Sequence, residues 1–128
     1  MIRLLPLLLL AACAGDETIS GYADPAARYR LLEMDGNPAG PAVTIAFPEE
    51  GKITGAGPCN SYGARQTVPY PWISVEDLFS TERACPDLAF EARYLDRLRG
   101  VSLAEASDNT LILSDEDGPV LVYQRLPE

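Results

Sequence analysis

From Arg28 onward the apolar residues come in short runs, each closed by Gly, Pro, Asn or Asp, and a single stretch carries a helical period. That pattern excludes a helix bundle and demands a sheet of short strands. The Tyr29–Met34 run is the first strand and ends at the turn signal Asp35-Gly36-Asn37-Pro38. Val43, Ile45 and Phe47 alternate at period two, Pro48-Glu49-Glu50-Gly51 turns the chain, and Lys52-Ile53-Thr54 begins the next strand. Residues 73–79 are predicted as a strand despite the acidic pair Glu76-Asp77. Val101-Ser102-Leu103, residues 110–113 and residues 120–123 give three more, with Asp108-Asn109 and Asp115-Glu116-Asp117-Gly118 as the turns between them. The helical stretch opens near Pro86, whose missing N–H costs nothing in a first turn. Leu88, Ala92, Leu95 and Leu98 then share a face with Tyr94 at its margin, and Gly100 is the stop. The expected class is α+β, a small, mostly antiparallel sheet with one amphipathic helix packed against it. At 128 residues the chain holds one domain.

Charge and residue usage narrow the chemistry. With 19 acids against 10 bases, a net charge of −9 excludes a nucleic-acid surface, which needs clustered Lys and Arg. The chain has 0 histidines, which excludes Ser-His-Asp and Cys-His catalysis and His-ligated zinc or haem.

The N-terminus is expected to be an address. Met1-Ile2-Arg3 is a cationic start, residues 4–10 are apolar apart from Pro6, and Ala11-Ala12-Cys13 follow. The run is too short to span a bilayer, which takes about 20 apolar residues, and has the order of a secretory signal. Leu10-Ala11-Ala12-Cys13 resembles the bacterial lipobox, whose cysteine is acylated and becomes the first residue of the mature chain; an ordinary signal cut near Ala12 is the alternative. On the lipobox reading residues 1–12 are a lipoprotein signal peptide. Cys13 then holds the protein to a membrane at about 0.8 kcal/mol per buried methylene. Ala14 after the cysteine implies the outer membrane, facing the periplasm. Residues 13–27 are expected to be the lipidated cysteine and a flexible tether with a reach of roughly 20 Å, on which Ile19 and Tyr22 are the residues placed to pack. An acidic body is repelled by anionic lipid, so attachment rests on the acyl chains.

Cys59 and Cys85 remain once Cys13 is lipidated, and outside the inner membrane a disulfide is their default state. Two buried free thiols are the alternative. A reactive thiol would lack a histidine base, and the spacing matches no zinc pattern.

The residues resemble a family. Tyr29, Leu31 and Gly36 are similar to the opening strand of META (HslJ-like) domains, with Tyr in place of Trp, and Val43, Ile45 and Phe47 match the next strand. Gly51, Ile53 and Gly55 lead into Gly57-Pro58-Cys59-Asn60-Ser61-Tyr62, similar to the family's G-x-x-G-C-N-x-Y signature. Ile73, Val75 and Leu78 precede Thr81-Glu82-Arg83-Ala84-Cys85, resembling its T-x-x-A-C element. Glu91, Tyr94 and Leu98 fit the helix, and Leu111, Leu113, Leu121 and Tyr123 the closing hairpin. Pro58 departs from the family's glycine. The resemblance assigns residues 28–128 to the domain and implies a highly curved sheet with one packed helix. It implies no catalytic constellation and no cofactor.

Two groups of residues are candidates for recognition. Asn60, Ser61, Tyr62 and Thr81 flank the cysteines and form either a polar patch clamped by the bridge or a set of turn-stabilising hydrogen bonds. Tyr70 and Trp72, on the proline-stiffened Val68-Pro69-Tyr70-Pro71-Trp72, form either a partner-binding edge or a lid on the sheet. Asp115, Glu116 and Asp117 lack the spacing of a calcium loop and are expected to be a solvated turn. The expected function is that of a non-enzymatic envelope lipoprotein acting through protein contacts or as a stress-related component. A periplasmic inhibitor of a lysozyme or protease, or a carrier of a small apolar ligand, is the alternative.

Overall fold

The computed structural model describes residues 2–5 and 15–127. The expected lipobox cysteine, Cys13, lies outside them. Among the described residues nine strands and one α-helix follow a short 3-10 turn at Ile19–Gly21: β1 (Tyr29–Met34), β2 (Asn37–Pro38), β3 (Thr44–Ala46), β4 (Lys52–Ala56), β5 (Ser61–Arg65), β6 (Glu76–Ser80), α1 (Leu88–Arg99), β7 (Leu103–Ala106), β8 (Thr110–Asp115) and β9 (Gly118–Arg125). They form one open sheet in the order β6-β5-β4-β3-β1-β9-β8-β7, with β2 paired to β1. Every strand pairing is antiparallel. The α+β architecture is therefore the one expected.

Local chemistry explains the turns and the bends. Asp35 and Gly36 both take positive φ, 52° and 78°, as a two-residue hairpin between β1 and β2 requires. Register shifts at Leu31/Glu33, Gly63/Arg65 and Leu113/Ser114 insert bulges, which bend and twist the strands that carry them. Leu32 falls in the first bulge and is exposed, and Met34 returns to the core. Inward residues of the sheet meet the helix: Leu31, Ile45, Ile53, Leu111, Leu113 and Leu121 are each at most 1% exposed.

Beyond shifted ends, as where β7 begins at Leu103 rather than Val101 and β2 takes up part of the predicted first turn, the structure departs from expectation in four places. Strand β5 was not anticipated, because Ser61, Gly63 and Arg65 break any apolar alternation. Gly63 is covered by the Phe79 ring from β6, so a side chain across the ladder supplies the cover that the glycine lacks. The predicted strand at residues 73–79 is only Glu76–Ser80. Ile73 is buried from a loop whose Ile73 N–H donates to Ser102 C=O at 3.0 Å. Tyr94 lies at the centre of the buried helix face rather than its margin. That face is Glu91, Tyr94, Leu95 and Leu98, while Leu88 and Ala92 are exposed.

The fourth correction concerns the tether. Residues 16–27 are packed on the domain and do not form a free linker. Thr18, Ile19, Ser20, Ala23 and Ala27 are buried. The Asp16 carboxylate accepts hydrogen bonds from Thr18 and Ser20. Burial works against its ionisation, but the bonds from Ser20 and Thr18 outweigh that and hold its pKa below the ordinary value. Asp24 pairs with Arg125 of β9 at 2.6 Å. The Tyr22 ring stacks on Tyr70 at 4.4 Å. Ile19 and Tyr22, the two residues placed to pack, do so.

Candidate functional site

The sequence candidates beside the cysteines meet at one end of α1. Gly57 N–H donates to Asn60 C=O at 2.7 Å and closes a four-residue turn. Pro58 occupies the second position of that turn, where a fixed φ is favourable. The turn sits on Glu91, whose Oε2 accepts Cys59 N–H at 2.7 Å and Asn60 N–H at 2.9 Å, while Oε1 accepts the Asn60 amide at 2.6 Å. A β-carbon on Gly57 would lie 2.4 Å from Glu91 Oε2, so only glycine fits over the carboxylate. Asn60 has a second set of partners in the segment after β6. Its Nδ2 also donates to Arg83 C=O at 3.1 Å, and its Oδ1 accepts Thr81 Oγ1–H at 2.9 Å and Arg83 N–H at 2.6 Å. Both donors and both acceptor sites of the amide are thus in use. The Cys59–Cys85 disulfide ties the same two segments, with Cα atoms 5.6 Å apart.

Tyr62 points inward, away from this polar hub. Its hydroxyl donates to Thr44 C=O at 2.7 Å, and a carbonyl can only accept, so the direction of the remaining bonds is fixed. Tyr94 donates to Tyr62 and Tyr123 donates to Tyr94, each at 2.7 Å. Burial, with neighbouring phenols adding to it, raises all three pKa values well above the ordinary tyrosine value.

Asn60 and Thr81 therefore bind backbone and each other, and Ser61 C=O accepts Thr81 N–H at 3.1 Å. The turn-stabilising reading describes them, and the free polar patch does not. What the hub leaves open is a groove of about 310 Å³ between residues 80–84 and α1, lined by Thr81, Arg83, Ala84, Leu88, Ala92 and Leu95. Leu88 and Ala92, read from the sequence as core, are here the apolar wall of a surface groove. Glu91, the acid that sequence reasoning did not single out as a site residue, sits three, four and seven residues before Tyr94, Leu95 and Leu98. That spacing is the signal that it faces inward. Among the described residues no cluster of three or more Cys, Asp or Glu side chains is placed to hold a metal ion.

Tyr70 and Trp72 differ in how far the domain covers them. The Gln66 amide, 1% exposed, shapes their loop by accepting Val68 N–H at 3.1 Å and donating to Val68 C=O at 3.0 Å. Tyr70 is a lid, half-buried, with its hydroxyl accepting Ala106 N–H at 3.0 Å. Trp72 forms a β-bridge with Leu103 yet leaves 54% of its surface exposed.

A family model of the META domain matches residues 24–128. The chain belongs to the META family. An NMR structure of a protein from Burkholderia xenovorans superposes with a TM-score of 0.67 at 18% identity, covering 99% of this chain and 100% of that one. A second NMR structure gives 0.60 at 20% identity, covering 77% of this chain and 87% of that one. At those identities the likeness establishes the fold alone. No curated protein matches the chain.

The hub and the tyrosine chain give physical roles to the residues that carry the META resemblance. Gly57 leaves room for Glu91, Asn60 joins three segments, and Gly55 leaves room for the Tyr62 ring. A β-carbon at Gly55 would lie 2.2 Å from Tyr62 Cζ and 2.4 Å from Thr44 O, and the latter is backbone that cannot swing aside. Gly55→Ala is therefore expected to push Tyr62 off both hydrogen-bond partners and lower stability by about 2–3 kcal/mol. A urea titration checks this, with the midpoint falling and the slope unchanged.

Proposed function

We propose that this META domain is a non-enzymatic lipoprotein of the bacterial cell envelope, held to the membrane by acylated Cys13, that acts through protein contacts. One observation carries the contact reading. Leu88 and Ala92 are exposed on the helix and, with the edge of the buried Leu95, line a groove beside the disulfide. Leaving apolar helix positions facing water is unfavourable by about 25 cal/mol per Å², and a partner that covers them recovers that energy. The groove wall is rigid, because its far side is held by Asn60 and the Cys59–Cys85 bridge, and a rigid apolar groove loses little entropy when filled. The acidic hub residue Glu91 is occupied by loop donors and leaves the recognition to Leu88, Ala92 and Arg83.

The test is site-specific photo-cross-linking in intact cells, with the reactive residue at Leu88 and, as a control, at Glu116 in the β8–β9 turn. One predominant adduct at Leu88, absent at Glu116 and reduced in a Cys13→Ser form exported by a cleavable signal, is the expected result. Equal labelling from both positions would sink the groove reading. A form that stays acylated and localised yet cross-links to nothing would leave the anchor standing and remove the contact function.

A further inference from the structure

The packed N-terminal segment places the membrane much closer to the domain than a free tether would. Cys13 is separated from Asp16 by Ala14 and Gly15 alone, a span of at most about 11 Å. From Asp16 onward the chain is fixed. Glu17 C=O accepts Tyr70 N–H at 2.8 Å, and Thr18, Ile19 and Ser20 are buried. The same corner of the domain carries two of its three strongly exposed aromatic rings among the described residues, the third being Phe79 on β6. Tyr22, 58% exposed, stacks on Tyr70, and Trp72, 54% exposed, closes the turn that starts at Pro69 by donating its N–H to Pro69 C=O at 2.9 Å. Gly15, Thr18 and Pro69 line one groove, so the start of the packed segment and this turn are neighbours. The turn is mounted on β7, where Ala104 N–H donates to Pro71 C=O at 2.8 Å. These rings are therefore held in place before any contact is made.

We propose that the Tyr22, Tyr70 and Trp72 surface rests on the lipid headgroup layer in which Cys13 is anchored, pressed there by the two-residue spacer; this rests on the lipoprotein reading above. Tyrosine and tryptophan combine an apolar ring with a polar edge and concentrate at the membrane–water boundary for that reason. Glu17 and Glu50 line the adjoining groove, so the contact is a shallow one at headgroup level and favours zwitterionic over anionic lipid. The domain then stands in a fixed orientation on the bilayer instead of drifting at the end of a leash.

The chain contains one tryptophan, so Trp72 reports on itself. The acylated full chain is reconstituted into vesicles of phosphatidylcholine and phosphatidylethanolamine, with and without lipids brominated near the headgroup, and compared with the Cys13→Ser form. The expected result is a blue-shifted Trp72 emission that brominated lipid reduces roughly two-fold, with no change in the unacylated form. A flexible Gly-Ser insert of about 20 residues between Ala14 and Gly15 is expected to abolish the quenching, because it adds about 25 Å of reach. Mass measurement of the acyl group and flotation of the protein with vesicles separate the two levels of the argument. If the chain carries no acyl group and does not float, the lipoprotein reading falls. If it is acylated and floats but Trp72 is unquenched, or the insert leaves quenching intact, the docked orientation alone is overturned.

Discussion

Raising the pH above about 10 unfolds this domain in one step, and its buried tyrosines ionise in that same step. Tyr62, Tyr94 and Tyr123 form a one-way chain of donors ending on Thr44 C=O. Each proton is committed to a partner, and a phenolate at any of the three would face an oxygen with no donor between them. Burial and the neighbouring phenols hold all three pKa values well above the ordinary value in the folded state. In the unfolded chain the phenols titrate near 10. The folded state thus keeps protons that the unfolded state gives up. Their contribution is fully present below pH 10 and is lost as pH rises above it, at about 1.4 kcal/mol per phenol per pH unit. Three phenols together give about 4 kcal/mol per pH unit, so a domain of ordinary stability unfolds within one to three units. Tyrosinate absorbance and far-ultraviolet circular dichroism followed together should show coincident transitions. Smooth ionisation of all 6 tyrosines with the circular dichroism unchanged would refute the chain. Tyr94→Phe should also lower neutral-pH stability by about 1–3 kcal/mol, because Tyr123 loses its acceptor in a dry interior.

This chain of hydroxyls shows where a sequence stops being legible. Tyr94 and Tyr123 were visible as residues of a helix and a hairpin, since helical period and strand alternation are local signals, whereas Tyr62 was visible only as part of the Cys59-Asn60-Ser61-Tyr62 signature. Their meeting is a product of the sheet order, in which three strands separate β5 from β9 and Tyr94 of α1 bridges the two. The helix face was misread for a related reason. An apolar count rotates the face toward Leu88 and Ala92, because it scores Glu91 as solvent-seeking. Glu91 is 2% exposed only because Cys59 and Asn60, 32 and 31 residues earlier, bring it two backbone donors and an amide. Strand β5 escaped notice since small residues carry no alternation when Phe79 supplies the missing cover. Residues 16–27 read as linker because Ala23, Ala27 and Ser20 have little burial preference of their own, and the segment is held by Tyr70 and Arg125 from distant parts of the chain, through Glu17, Tyr22 and Asp24. The cysteine pair, by contrast, was read as a disulfide on the expectation of an oxidising compartment, and it is joined.

Asn60→Ala should cost about 3 kcal/mol. The substitution removes a donor from Glu91 and leaves Thr81 Oγ1 and both backbone groups of Arg83 without their amide partner. Thr81 and Arg83 are exposed, so water restores part of the loss, whereas Glu91 is buried and recovers little. Replacing both Cys59 and Cys85 by serine should cost a comparable amount, about 3.5 kcal/mol, by a different route. The bridge acts chiefly by restricting the unfolded chain, whereas Asn60 acts on the folded one. If the bridge acts through the unfolded chain alone, the two losses add to within about 0.5 kcal/mol in a double-mutant cycle, where adjacent residues that both donate to Glu91 would otherwise couple by about 0.5–3 kcal/mol. The combined loss of about 6.5 kcal/mol is enough to unfold a marginal domain at room temperature. A coupling well above that limit would mean that the bridge positions the turn on Glu91. Asn60→Asp separates electrostatics from shape in the same place. It sets a second carboxylate where the amide now lies 2.6 Å from Glu91, and two carboxylates at that distance share one proton. The shared proton raises the pair's pKa in the folded state, so the variant should gain stability as pH falls through that value, and should lie furthest below the wild-type chain at neutral pH. Urea midpoints at pH values from about 4 to 8 read this directly. A difference from wild type that does not change with pH would show that shape alone holds the turn on the helix.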